Sequence, residues 1–392
     1  MTQAKAQLET PPSSRPDIMA QTPKARAIAF YLPQFHPVPE NDLWWGPGFS
    51  EWTNTAKARP LFRGHEQPHL PADLGFYDLR CPETREAQAG LAKRYGVGAF
   101  CYWHYWFGGR RMLNRPFDEV LSSGQPDFGF CLGWANHSWT GAWDGAHNRI
   151  LIEQVYPGPD DDKAHFAYLL RAFEDKRYIK VDGKPLWYIF RPDQIPNPRE
   201  FCNRWQKMAK AAGFPGLYIV AEISDLQGSG SKTIANPEEL GYDAGTYVRM
   251  PIAITQLSRL AMRFRRKFLH WPETWDYSVE PLPIPLPYQR EAIHPCIYPN
   301  WDNTPRANRR GLVIRNSRPE LFQRHAEYAV EYLSQRNPDH RLLFIKSWNE
   351  WAEGNYLEPD RAHGHGNLQA LAAALGVAVP AKNAASEIKS IQ

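Results

Sequence analysis

Short apolar runs recur along the chain, each followed by a stretch with helical periodicity. Eight runs read as strands: Ala27–Leu32, Val97–Tyr102, Phe128–Gly133, Pro185–Phe190, Leu217–Glu222, Ala244–Val248, Cys296–Tyr298 and Leu342–Lys346. They are apolar nearly throughout instead of alternating with polar residues, which marks strands buried on both faces, as in a parallel sheet. Between them, Thr84–Tyr95, Asp161–Asp175, Arg199–Ala212 and Pro319–Arg336 carry helical patterns. Eight such units over roughly 320 residues fit an α/β fold, a (β/α)8 TIM-type barrel with long insertions in the loops that leave the strands. An open doubly wound sheet is the competing architecture. It requires a Gly-rich first turn, and YLPQFHP after the first strand does not supply one.

Residues 1–25 are polar and Pro/Ser-rich with no apolar centre, so a disordered leader is expected there instead of a signal peptide. Residues 379–392 read as a flexible tail, leaving 26–378 as a single barrel domain. No run of eighteen apolar residues occurs, so no membrane-spanning helix is expected. The balance of 46 Lys+Arg against 42 Asp+Glu is too even for a nucleic-acid-binding protein. Five cysteines lie at 81, 101, 131, 202 and 296 without metal-ligand spacing; they imply reduced thiols, a cytoplasmic setting, and neither metal nor cofactor.

The aromatic content changes the picture. The chain has 15 Trp, 18 Tyr and 19 Phe, many beside polar residues, as in WHYW, WANHSW and SWNEW. Flat rings flanked by hydrogen-bonding groups suit a sugar, although any single Trp serves equally well in a core. In a barrel the chemistry sits just beyond the C-terminal ends of the strands. There the sequence places Tyr31, Gln34 and His36 with nearby Trp52, then His104, then Trp134, Asn136, His137, Trp139 and Asp144. Trp301 and Asp302 follow the seventh strand, and Trp348 and Asn349 the eighth. All are candidate substrate-binding residues for an oligosaccharide or polysaccharide. Asp144 and Asp302 fit turns as well, His36 and His104 fit core positions, and Asn349 fits a helix cap.

SWNEWAEG carries the sharpest chemistry. Glu350 and Glu353 are three residues apart, so one helical turn would put both on one face. Glycosidic bond cleavage needs one carboxylic acid for the leaving oxygen and a second carboxylate for the opposite step. Two close carboxyls repel, which splits their pKa values into an acid and a base.

Three other patterns invite chemistry. His363 and His365 form a pair without a third metal ligand, and Asp160–Asp162 reads as a helix start instead of a metal-binding acidic motif. Arg259–His270 is basic and partly amphipathic; it fits a solvated helix face or a peripheral contact with an inner-membrane surface or membrane-borne glycan lipid.

The segments FYLPQFHPVPENDLWWGPGFSEWTN, QPHLPADLGFYDLR, WHYWFGGRRML, WANHSWTGAWDG, WDNTPR and SWNEWAEGNYLEPD resemble the WbsX family across residues 26–376. That family is associated with bacterial O-antigen and other surface polysaccharides and is similar to glycoside hydrolase family 99, the endo-α-mannosidases. The resemblance implies a retaining hydrolase without a protein nucleophile, acting on an α-linked polysaccharide or its precursor. Glu350 would deprotonate the sugar's 2-hydroxyl, which attacks the anomeric carbon to give a 1,2-anhydro sugar, and Glu353 would be the acid/base. The chain departs from the family pattern at His137, usually Glu, and at Gly141, usually Arg. Its sixth strand ends in TYV where an acidic-aromatic pair is common. Mannose specificity is therefore not carried over. A glycosyltransferase, the role the family's older name asserts, and a non-catalytic glycan-binding protein are the alternatives.

Overall fold

Eight parallel strands close on themselves in the computed structural model, which describes residues 22–141, 146–224, 236–252, 255–278 and 292–379. They are β1 (Arg26–Tyr31), β2 (Val97–Phe107), β3 (Gly129–Trp134), β4 (Lys184–Ile189), β5 (Tyr218–Ser224), β6 (Ala244–Val248), β7 (Ile293–Ile297) and β8 (Leu342–Ile345). Each pairs in parallel with the next, and β1 pairs with both β2 and β8, so the sheet is a closed barrel. Helices Pro82–Arg94, Arg115–Ser123, Pro159–Phe173, Pro198–Ala211, Pro319–Ser334 and Gly366–Leu375 surround it. This is the (β/α)8 architecture that the alternating pattern predicts.

The strands are apolar throughout because one face looks to the barrel axis and the other to the helices. Along β1, Phe30 faces inward: its ring stacks on Trp103 of β2 at 4.7 Å and meets Tyr188 of β4 edge-on at 4.8 Å. Its neighbour Tyr31 faces outward, and its hydroxyl donates to Gln88 of helix Pro82–Arg94 at 2.7 Å. The inward layer is crowded by rings, and Gly133 makes room for one of them. A Cβ there would come within 3.1 Å of both Cys101 Sγ and the Trp103 ring.

Several details differ from the expected elements. The seventh strand begins at Ile293, earlier than the apolar run at 296–298, because His294 and Pro295 interrupt the pattern. His294 is buried and bonded to Tyr218 Oη at 2.9 Å, so its polarity is satisfied on the outer face. Residues 1–21 and 380–392, most of the expected leader and tail, lie outside the described residues. Lys24 and Ala25 already belong to the fold: the Lys24 amide donates to Leu375 O at 3.0 Å, and Ala25 is buried. Among the described residues, β5 connects to β6 with only a single 3-10 turn, Glu238–Leu240. Among them too, no helix is long and apolar enough to cross a membrane.

The layer between barrel and helices holds several neutral histidines. His104 of β2 and His165 of helix Pro159–Phe173 share a hydrogen bond of 2.9 Å. Burial pushes His104 down to about 3, and His36 and His325 down to about 4. The unfolded chain protonates these groups near pH 6.5 whereas the folded chain does not, so their contribution is fully present above 6.5 and lost as pH falls toward 4. Unfolding free energy from urea titrations is expected to fall steadily between pH 6.5 and 4. His36→Leu removes one titrating ring whose nitrogens have no hydrogen-bond partner among the described residues. It should flatten the slope by about 1.4 kcal/mol per pH unit.

Candidate active site

The C-terminal ends of the strands surround a cavity of about 380 Å³, within the range of small-ligand sites. Its floor is the inward aromatic layer continued upward: Trp103 and Tyr105 from β2, Phe190 after β4 and Tyr298 after β7. Trp45, Trp139 and Trp301 stand around it. Five of its lining residues have buried polar atoms without a partner among the described residues: Gln34 Nε2, both Asn41 amide atoms, His137 Nδ1, Tyr298 Oη and Trp301 Nε1. Buried polar atoms are nearly always paired, so such a convergence marks a place where a ligand supplies the partners. Rings beside unmatched donors and acceptors suit a polyhydroxylated ligand.

The eighth strand delivers the acids. Beyond β8, the Asn349 side chain acts as one more rung of the ladder: Oδ1 accepts from Leu32 N at 2.8 Å and Nδ2 donates to Leu32 O at 3.1 Å. Ser347 Oγ accepts the amides of Asn349 and Glu350 at 3.2 and 3.1 Å. Trp351–Glu353 then forms a 3-10 turn in place of the expected helix start, and Gly354 closes it in the left-handed region at φ 53°. Three residues per turn eclipse positions i and i+3, so Glu350 and Glu353 both reach the cavity.

One arginine organises the charges. Arg306 donates through Nε and Nη2 to Glu51 Oε1, at 2.9 and 2.5 Å. Its Nη1 bonds Glu353 Oε1 and lies 3.7 Å from Glu350 Oε2. Glu51 opens helix Glu51–Lys57 and is fully buried. Burial raises its carboxyl above the usual range, against the pull of Arg306. Glu350 also accepts from Trp103 Nε1 at 3.2 Å. Its burial first, and the Glu353 carboxyl within hydrogen-bonding reach second, hold Glu350 well above the ordinary glutamate value.

A second charged pair lies across the floor. Tyr188 Oη donates to Glu222 Oε2 at 2.8 Å, and Lys346 Nζ is 3.5 Å from the same oxygen. The ammonium also lies 5.5 Å from the centres of the Phe30 and Phe190 rings. Burial works against its charge, but Glu222 and the other acids outweigh it and raise Lys346. His137 is held neutral, lowered to about 4 by burial and then by Arg191.

The predicted residues divide into two groups. Gln34, His137, Trp139, Trp301, Glu350 and Glu353 meet around the cavity. The others build its frame. Tyr31 and His104 face the helices, as does Trp134, whose Nε1 donates to Trp106 O at 3.2 Å. Asn136 is buried and ties Tyr156 Oη and the Arg191 backbone. Trp52 donates to Tyr77 O at 2.8 Å, and Trp348 packs at a tilt on Phe100, ring centres 5.1 Å apart. His36 is buried away from the cavity lining. Asp302 is a turn hub that accepts from Thr304 N and Oγ1 and from Gln67, with His65 at 2.7 Å; these partners outweigh burial and hold its carboxyl low. Asp144 lies outside the described residues. Four charged residues of the site, Arg306, Glu51, Glu222 and Lys346, carry no local signal beyond their place: Arg306 in WDNTPR, Glu51 in FSEWTN, and Glu222 and Lys346 at the ends of strand runs.

The remaining candidates also resolve. Asp161 and Asp162 lie in the first turn of helix Pro159–Phe173, bonded to Trp106 Nε1 and Arg204. His363 pairs with Asp360 and His365 with Asp73. Among the described residues, no group of three His, Cys, Asp or Glu is placed to hold a metal.

Fold and cavity together define a (β/α)8 barrel with a ring-lined pocket at the C-terminal ends of its strands. Its architecture matches a "glycoside hydrolase-like protein" with a TM-score of 0.55, at 16% identity over 93% of this chain and 98% of the other. It also matches the GH99 endo-alpha-mannosidase from Bacteroides thetaiotaomicron with a TM-score of 0.53, at 15% identity over 90% and 96%. At these identities the likeness is one of fold. Residues 27–371 match the family model described as Glycosyltransferase WbsX, and the chain belongs to that family. It is 37% identical over 364 residues to the uncharacterized protein WxcX of Xanthomonas campestris pv. campestris, covering 91% of this chain and 50% of that protein. The WxcX of strain B100 is 37% identical over 368 residues, with 92% and 51% covered. The chain thus spans about half the length of the curated relatives it matches.

Arg306→Met should strand Glu51 without its counter-charge. Breaking a buried pair from one side costs about 3–5 kcal/mol. Chemical denaturation is expected to show that loss, and Arg306→Met combined with Glu51→Gln is expected to recover most of it.

Proposed function

We propose that the protein is a retaining glycoside hydrolase acting on an α-linked bacterial surface polysaccharide or its precursor in the cytoplasm. Glu350 is the base for the 2-hydroxyl and Glu353 the acid/base. The observation that carries this reading is the close approach of the buried Glu350 carboxyl and the half-buried Glu353 carboxyl on a cavity lined by rings and unmatched polar atoms. The likeness of fold to an endo-alpha-mannosidase supports the reaction class without assigning its sugar.

The proton count follows from the geometry. In the first step Glu350 takes the 2-hydroxyl proton as O2 attacks the anomeric carbon, while Glu353 gives its proton to the departing oxygen. In the second, water opens the 1,2-anhydro ring at the anomeric carbon; Glu353 accepts the water proton and Glu350 returns one to O2. The pair begins and ends each step with one proton and one negative charge, which Arg306 faces throughout. The raised Glu350 carboxyl lies within reach of Glu353, a path by which one proton passes between them before the first step. Two inversions give net retention.

Removing either carboxylate should lower turnover by about 10²–10⁴-fold. Glu353→Gln and Glu350→Gln are expected to bind oligosaccharide while losing that activity, and the first product should keep the α configuration by NMR. Near wild-type turnover in either variant, or an inverted product, would overturn the assignment. The family's own description favours a glycosyltransferase as the second reading. Thermal stabilisation by a nucleotide sugar, with no hydrolysis of glycans, is the result that would establish it. A non-catalytic glycan-binding protein would show saturable oligosaccharide binding with no reducing end released, and would not respond to either glutamine variant.

A further inference from the structure

Helix Gln256–Phe268 stands apart from the others. Among the described helices of eight residues or more, it alone buries no side chain. Its formation is local: Thr255 caps it, accepting from Ser258 N at 3.1 Å, with Ser258 reciprocating to the Thr255 amide at 2.8 Å. At about 100° per residue, its side chains fall into three sectors. Met262 and Arg265, half-buried, face the protein, where the Arg265 guanidinium lies 5.7 Å from the Trp271 ring. Leu257, Leu260, Phe264 and Phe268 form a second stripe, 80%, 60%, 56% and 60% exposed. The third sector holds Arg259, Arg263, Arg266 and Lys267, none of which makes an ion pair with a described residue. No acidic residue occurs from 255 to 272.

An exposed stripe of large apolar side chains is costly in water and marks an interaction surface. Beside a row of cations that have no ion-pair partner among the described residues, it matches the two-part character of an interfacial helix: apolar groups enter the acyl boundary, and Lys and Arg meet the headgroups. A protein partner would need an acidic groove to match the cations, whereas an anionic bilayer offers both properties over an unlimited area.

We propose that helix Gln256–Phe268 docks the barrel onto an anionic phospholipid surface. The docking helix is rooted at the rim that carries the cavity. It follows β6, and the next strand, Glu273–Asp276, pairs with Leu312–Arg315, whose Val313 bridges to Asp302 beside cavity-lining Trp301. Trp271 further stacks on Phe62, from the insertion after β1, at 4.4 Å. Membrane contact therefore holds the cavity end of the barrel at the bilayer, and, if the hydrolase reading is right, favours glycans carried there on lipid.

Vesicle co-sedimentation of the full chain tests the docking without any glycan, so it succeeds or fails independently of the hydrolase assignment. Binding is expected to phosphatidylcholine vesicles containing one quarter phosphatidylglycerol, and to weaken in high salt and on pure phosphatidylcholine. Leu260→Glu with Phe264→Glu should abolish it while the thermal midpoint stays at the wild-type value. Arg259→Gln with Arg263→Gln should weaken partitioning by about 30-fold, the product of two surface cations. Equal sedimentation of wild type and the Glu variant, or no binding to the anionic vesicles, would overturn the proposal. So would a dimer in solution that Phe264→Glu dissociates, which would make the stripe an interface between copies.

Discussion

A buried guanidinium shared by three carboxyls holds the working end of this barrel together. Arg306 comes from the exit of β7, Glu51 from the insertion after β1, and Glu350 and Glu353 from the exit of β8. None of these charges is tolerable alone at such burial, because each has lost its hydration. The three loops consequently have one joint solution, and the cavity takes shape around it. The same constraint sets the electrostatics: one positive charge faces three acids, and burial, followed by the neighbouring Glu353, holds the Glu350 carboxyl well above its ordinary value.

The barrel was legible because parallel strands covered on both faces must be nearly all apolar. Where a strand carried polar or kinked residues on its outer face, as β7 does at His294 and Pro295, its start was hidden. The site was half legible for a reason of parity. Successive residues of a strand point to opposite sides, so a polar-aromatic cluster at a strand exit sends only half its members to the axis. Trp103 enters the cavity while adjacent His104 meets His165 among the helices; His137 enters while Asn136 and Trp134 turn away. Small residues mark the inward positions, since Cys101 and Gly133 sit where the rings are densest, and they could have set the register. Asp302 drew attention that belonged to Arg306 four residues on. An acid in a turn motif advertises itself, whereas a lone arginine signals its role only when its partners are seen.

His137 stands on the cavity wall, and none of the described residues satisfies its Nδ1. A neutral ring there offers a ligand a hydrogen-bonding nitrogen without adding charge to a site that already holds several carboxyls. Lys346, from the same strand as the acid pair, reaches Glu222 at the end of β5, so a second set of charges also lines the cavity. A ligand read by such a field must be oriented as well as enclosed.

Gly354 has a consequence beyond closing a turn. Any Cβ at this position would come within 2.7–2.9 Å of the Asp302 backbone nitrogen, Cβ and backbone oxygen, and the Asp302 amide donates to Glu353 O at 2.7 Å. The segment that aims the acid/base candidate and the segment that presents the arginine are thus pressed backbone to backbone, with no side chain between them to act as a cushion. They can shift only as a single piece, so the acid and its counter-ion keep their mutual alignment even if the surrounding loops breathe.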